Sequence, residues 1–215
     1  MLIACWSSKG GSGTTAVAAG LAVVMASADP RGAVLADLCG DGAAILGLPE
    51  PEGPGLSDWL AAGDDVPDDG IRRLELDAAR GVRLLPRGTL PLDATRAPAL
   101  ADHLVADPRP VVADCGTLVD ETARIVAEQA SASLLVLRPC FLAVRRALLA
   151  PTRPSGVVLV EEDGRALSSR DVEEVLGVPV RARIECSREV ARLIDCCLLT
   201  ARLPRRVARA LRGAA

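Results

Sequence analysis

Lysine is nearly missing from this 215-residue chain: 24 arginines carry the positive charge and Lys9 is the one lysine. Tyrosine is absent, and the aromatic rings are Trp6, Trp59 and Phe141, so a core must be built from Leu, Val, Ile and Ala. His103 is the one histidine, and the seven cysteines (5, 39, 115, 140, 186, 196 and 197) form no C-x-x-C pair. No ligand spacing for a metal centre exists, and an odd cysteine count argues against a disulfide framework. Several cysteines follow apolar runs, which suits buried, reduced thiols in a cytosolic protein. Long apolar runs are also lacking. Residues 16–28 are too few to span a bilayer. No basic segment precedes the first apolar run, so no secretory signal is expected. A cytoplasmic protein is expected.

Half of the residues are hydrophobic, which permits a sizeable core in one domain of moderate size. The net charge of −3 is unevenly spread. From Arg181 to Arg212, nine arginines face Glu185, Glu189 and Asp195, a net of +6 that leaves −9 elsewhere. This basic segment would suit DNA, an acidic membrane surface or an acidic partner, or is a solvated helix face.

Short apolar runs alternate with helical patterns. The candidate strands are Leu2–Trp6, Ala33–Asp37, Val82–Leu85, Val111–Asp114, Leu134–Leu137, Val157–Val160 and Val178–Ala182. The candidate helices lie near Thr15–Ala28, Ala43–Leu46, Leu56–Ala62, Ala94–Ala106, Asp120–Ala130, Ala143–Ala150, Ser168–Leu176, Ser187–Asp195 and Pro204–Leu211. Alternation of this kind implies right-handed crossovers and an α/β fold: one doubly wound, mostly parallel sheet flanked by helices. Residues 49–70, rich in Pro, Gly and Asp, read as a surface excursion carrying a short helix. Its Leu56, Trp59 and Leu60 make one apolar face, for the core or for a partner.

Lys9 lies between the first strand and the first helix, in Ser7-Ser8-Lys9-Gly10-Gly11-Ser12-Gly13-Thr14-Thr15. Glycines let backbone N–H groups turn toward an anion, and the following helix adds its positive end. Thr15 would offer a hydroxyl to Mg²⁺. The alternative is an ordinary Gly/Ser-rich turn. The standard phosphate loop, G-x-x-x-x-G-K-[ST], is not met, because Ser8 and Thr14 stand at its first glycine and its lysine. The segment resembles instead the deviant Walker loop K-G-G-x-G-K-[ST] of the ParA/MinD superfamily of partition and positioning ATPases. Lys9, Gly10, Gly11, Gly13 and Thr15 match that pattern, and Thr14 departs from it. The resemblance implies a P-loop NTPase-like fold and a site for ATP or ADP with Mg²⁺ at Lys9, Gly10, Gly11, Ser12, Gly13, Thr14 and Thr15. It also implies that Lys9 reaches across a dimer interface to the partner's nucleotide.

Two strand ends extend the resemblance. Ala33-Val34-Leu35-Ala36-Asp37 ends where the family carries D-x-D: Asp37 matches the first aspartate, and Cys39 stands for the second, associated with positioning the attacking water, with Asp41 two residues later as the alternative acid. Asp37 has an alternative reading as a turn or cap residue. Val111-Val112-Ala113-Asp114 resembles a Walker B strand, whose aspartate would bind Mg²⁺ through water. Lys9 and Asp37 are thus the expected catalytic residues, and Thr15 and Asp114 the expected metal residues. The resemblance runs loosely to about Leu203 and looks nearest the pilus-associated CpaE/TadZ branch, on Leu46-Gly47-Leu48 and Gly55-Leu56-Ser57-Asp58-Trp59-Leu60. The receiver-like domain common in that branch is expected to be absent.

Together these readings imply a ParA/MinD-like domain over 1–203 and a basic C-terminal helix or tail over 204–215. The implied function is nucleotide-responsive positioning: a homodimer around ATP that recruits a protein of a pilus or secretion, division or partition system, at the membrane periphery or nucleoid. A nucleotide-free scaffold with the same fold is the alternative. The missing lysine and second aspartate each weaken phosphoryl transfer, which relies on positioning and charge neutralisation, so hydrolysis is expected to be weak or absent. The terminal helix carries a small apolar face, Val207, Ala208, Ala210 and Leu211, without aromatics, so membrane anchoring and nonspecific DNA contact both stay open.

Overall fold

A computed structural model describes residues 1–63 and 69–214. In chain order its elements are β1 (Leu2–Trp6), α1 (Thr14–Ala26), β2 (Ala33–Asp37), α2 (Gly42–Leu46), α3 (Leu56–Ala61), β3 (Leu76–Asp77), β4 (Val82–Leu85), α4 (Ala97–Ala106) and β5 (Val111–Asp114). There follow α5 (Glu121–Gln129), β6 (Ala132–Leu137), α6 (Phe141–Leu148), β7 (Gly156–Glu161), α7 (Ser169–Leu176), β8 (Val180–Glu185), α8 (Arg188–Asp195) and α9 (Arg205–Arg212). Part of the 49–70 excursion, residues 64–68, lies outside the described residues.

The strands form one sheet in the order β3-β4-β2-β5-β1-β6-β7-β8. Every pairing is parallel except that of β3 with β4. Both faces are covered, as an apolar parallel sheet requires. In β1 the two-residue period divides the side chains: Leu2, Ala4 and Trp6 enter one core cluster, Ile3 and Cys5 the other. The first cluster is completed by α3, α4, α5, α6 and α7, the second by α1, α2, α8 and α9.

Helix α1 is apolar on nearly all sides because it is buried between β-strands and α9. Ten of its 13 residues are buried. Gly20 permits the approach of α9: a Cβ there would lie 2.9 Å from Leu211 Cδ1. Val207 and Leu211 of α9 are buried in the same cluster. The two larger side chains of the small apolar face are therefore covered within the fold and not open to a membrane. Leu56, Trp59 and Leu60 are core residues, so the partner-face reading of that helix falls.

Several boundaries move, and one strand was not expected. The last strand runs Val180–Glu185, not Val178–Ala182, because Gly177 ends α7 in the left-handed region at φ 68° and Val178-Pro179 leads out of it. The helix expected from Ala94 starts as a 3₁₀ turn capped by Asp93, whose carboxylate accepts from the Thr95 N–H, and becomes α-helical at Ala97. The antiparallel edge strand β3 has two residues and no periodicity to announce it.

Candidate nucleotide site

β1 lies between β5 and β6, the position from which later connections lead to opposite sides of the sheet. In such folds the crevice at the strands' carboxyl ends takes the ligand. Register brings three chain segments together there: Cys5 pairs with Asp114, and Asp37 pairs with Asp114. The glycine-rich loop thus rises beside both aspartates.

The loop is pinned from within. The Ser7 and Ser12 hydroxyls both donate to the Lys9 carbonyl, at 3.0 and 2.9 Å. Ser8 Oγ ties it to the Ala143 carbonyl at 2.7 Å. Gly11 and Gly13 adopt φ 74° and 89°, the left-handed region open to glycine. A Cβ at Gly10, Gly11 or Gly13 would meet no protein atom within 4 Å, and their N–H groups make no hydrogen bond among the described residues. The glycines therefore leave room for something other than protein. They open onto a cavity of about 550 Å³ lined by residues 10–16, Ser7, Cys39, Asp41, Gly116, Thr117 and Arg138, among others.

Ser12, Gly13, Thr14 and Thr15 all line this cavity, with Thr14 and Thr15 opening α1. Lys9 does not reach it. Its ammonium is exposed, and Nζ lies 3.5 Å from the Gly10 carbonyl, the long limit of a hydrogen bond.

Asp114 is fully buried. Its Oδ1 accepts from the Gly116 N–H at 3.2 Å, while Oδ2 is buried without a hydrogen-bond partner. Burial raises its carboxyl to about 6, and the Asp37 and Asp41 charges add to the rise. The nearby Thr15 hydroxyl opposes it, although no bond of normal length reaches Oδ2. A buried carboxylate oxygen without a partner is costly, and a cation would relieve it. Carboxylate and hydroxyl oxygens are the donor chemistry that Mg²⁺ takes, so Asp114 and Thr15 fit that ion.

Asp37 is differently placed. Oδ1 accepts from the Cys39 and Gly40 N–H groups at 2.9 and 2.7 Å, and Oδ2 from Gly42 at 2.8 Å. Its carboxylate folds the turn into α2. Gly42 has no room to be anything else, since a Cβ would lie 2.7 Å from Asp37 Oδ2. Cys39 lines the cavity, but burial and then the neighbouring aspartates push its thiol to about 12, so it stays neutral and weakly basic. Asp41 also lines the cavity.

Two cavity residues, Thr117 and Arg138, carried no site signal in the sequence, because loops after strands bring them in. The cysteine expectation also needs correcting. Cys5 and Cys115 are buried, but Cys39, Cys186, Cys196 and Cys197 are exposed, because they follow strand and helix ends into loops. No disulfide and no cluster of metal-ligating side chains occurs among the described residues. No helix among the described residues is long and apolar enough to cross a membrane.

No family model matches the chain, and no curated protein sequence does. Solved structures do. A ParA family ATPase from Chlorobium tepidum TLS superposes with a TM-score of 0.80 at 17% identity, over 98% of this chain and 95% of the other. The chain has the fold of the ParA and MinD ATPases. The septum site-determining protein MinD of Pyrococcus horikoshii OT3, solved with Mg-ADP, gives 0.79 at 19% identity over 99% and 93%. The MinC:MinD cell division protein complex of Aquifex aeolicus gives 0.78 at 18% identity over 100% and 96%. At these identities the likeness is one of fold, and the site's chemistry has to be argued from its residues.

Proposed function

We propose that this chain binds ATP or ADP with Mg²⁺ in the cavity above β1 and acts as a nucleotide-responsive positioning protein. The observation that carries the reading is the orphaned Oδ2 of Asp114 beside an open glycine cradle. The N–H groups of Gly10, Gly11 and Gly13 and the N-terminus of α1 hold the phosphates, and Thr15 and Asp114 hold the metal. When bound, Mg²⁺ neutralises phosphate charge. Ser12 and Thr14 shape the loop, and Thr14 offers a hydroxyl where a cation is usual. The match to a MinD solved with Mg-ADP supports this ligand class.

Two groups that hydrolysis uses are missing from the site, and Asp41 is the one acid among the described residues that line its cavity. Thr14 carries no charge, Cys39 is a neutral thiol, and Asp37 is engaged by three backbone N–H groups. Two missing transition-state contacts of about 3–4 kcal/mol each slow turnover by roughly 10⁴-fold or more. The chain is thus a slow or silent ATPase.

Lys9 does not line its own cavity and its ammonium is exposed, which suits a role toward a second copy. Val119 is 90% exposed and Phe141 76% exposed, and both follow strands at the sheet's carboxyl edge. Apolar side chains there suit a nucleotide-dependent homodimer, which would recruit a protein of a pilus or secretion, division or partition system. The pilus-associated resemblance of Leu46-Gly47-Leu48 and Gly55-Leu56-Ser57-Asp58-Trp59-Leu60 favours the first of these. Sedimentation velocity tests the dimer. Mg-ATP shifts the wild type to a dimer and leaves Lys9→Ala a monomer. A constitutive dimer, or one indifferent to Lys9, would instead fit the nucleotide-free scaffold.

A further inference from the structure

The cavity has a cation that the loop does not supply. Among the described residues lining it, Arg138 is the one that carries positive charge, and Asp41 the one that carries negative charge. We infer that Arg138 contacts the phosphate chain of the bound nucleotide and takes over the charge that Thr14 cannot provide. The inference deepens the nucleotide-binding reading and rests on it.

The position follows from the sheet. β6 pairs with β1 in parallel, Trp6 opposite Leu135, and continues through Val136 and Leu137. Arg138 therefore leaves the sheet at the carboxyl edge, next to the strand that delivers the phosphate loop. It also borders a second, smaller cavity of about 60 Å³ lined by Gly13, Ala16, Val17, Ile194 and Leu199, among others. Arg138 thus sits beside the first turn of α1, in a lining that is largely apolar and includes Glu185. At this partly solvated edge a positive charge still attracts an anion.

The guanidinium is held but not used up. Nη1 donates to Glu162 Oε1 at 2.5 Å, and Glu162 is shared with Arg165. Nε is buried and has no hydrogen-bond partner. An arginine has five N–H donors in a rigid fork that matches phosphate oxygens, and a buried donor without an acceptor is costly. A phosphate oxygen in the cavity would supply the missing acceptor. The side chain is about one-third exposed, so it can adjust toward a ligand.

The competing explanation is structural: Arg138 neutralises Glu162 and nothing more. Calorimetric titrations with Mg-ATP and with adenosine separate the two, using wild type, Arg138→Ala and Glu162→Gln. Arg138→Ala is expected to weaken Mg-ATP binding roughly 10- to 100-fold, the range for losing hydrogen bonds to a charged group. Adenosine binding should not change. Glu162→Gln removes the carboxylate that competes for the guanidinium, so it should bind Mg-ATP at least as tightly as wild type. Arg138→Gln, which keeps a donor for Glu162, replaces Arg138→Ala if the latter melts early.

Equal Mg-ATP affinity in wild type and the Arg138 variants would overturn the inference. So would equal losses for Mg-ATP and adenosine, or parallel losses in the Arg138 and Glu162 variants. Wild type that binds no Mg-ATP at all would overturn this inference together with the nucleotide reading.

Discussion

At the scale of single residues, the site is defined by which charges have partners. Asp37 and Asp114 are neighbours in register, yet one carboxylate is saturated by backbone N–H groups and the other keeps a bare oxygen. Burial and the adjacent acids raise Asp114 to about 6, well above the value near 4 of an unfolded carboxyl. For a raised carboxyl, the neutral form favours the fold. The associated stability is complete below about pH 4 and is lost as pH rises through about 6. Asp114→Asn cannot ionise, so in Mg²⁺-free buffer at pH 7 it should be more stable than wild type, on the order of 1–3 kcal/mol, and similar to it at pH 4. Thermal melts at the two pH values check this. Lower stability of Asp114→Asn at pH 7 would mean that the carboxylate already has a partner.

The loop glycines and Asp114 were legible in the sequence because their chemistry is local: a turn with glycines and a strand ending in a carboxylate. The turn role of Asp37 was one of two readings the sequence left open, and the choice depends on how the next five residues curl back onto its carboxylate. Arg138 was hidden. Its importance comes from the pairing of β6 with β1, across more than a hundred residues.

At the scale of elements, the parallel strands were readable because buried strands are short apolar runs. β3 and the start of β8 were not. The first is too short to show a period, and the second follows Gly177-Val178-Pro179, whose apolar residues mimic a strand. The role of α9 also needed the structure. Its charge suggested a surface-seeking helix, but its buried Val207 and Leu211 pack on α1 at Gly20. Leu211→Ala should therefore cost about 2–5 kcal/mol, the range for truncating a buried leucine. Urea unfolding measures it. The wild type should not bind anionic vesicles through this face, and a Leu211→Ala variant of unchanged stability would show that α9 is a loosely held tail.

At the scale of the whole molecule, the two-layered covering of the sheet directs the carboxyl ends of the parallel strands to one edge. There the glycine cradle and Arg138 line one cavity of about 550 Å³, and the orphaned Asp114 oxygen is buried at the end of the neighbouring strand β5. The same edge lacks a lysine at Thr14 and an acid at Cys39. On the proposed reading, such a site is suited to bind and signal rather than to turn over. The most direct measurement is calorimetric titration of Mg-ATP into the whole chain, repeated without Mg²⁺ and with Asp114→Asn. The account predicts saturable binding that weakens in both controls, with little phosphate released over the same period. No heat of binding up to millimolar Mg-ATP would contradict it and leave a scaffold with an empty cradle.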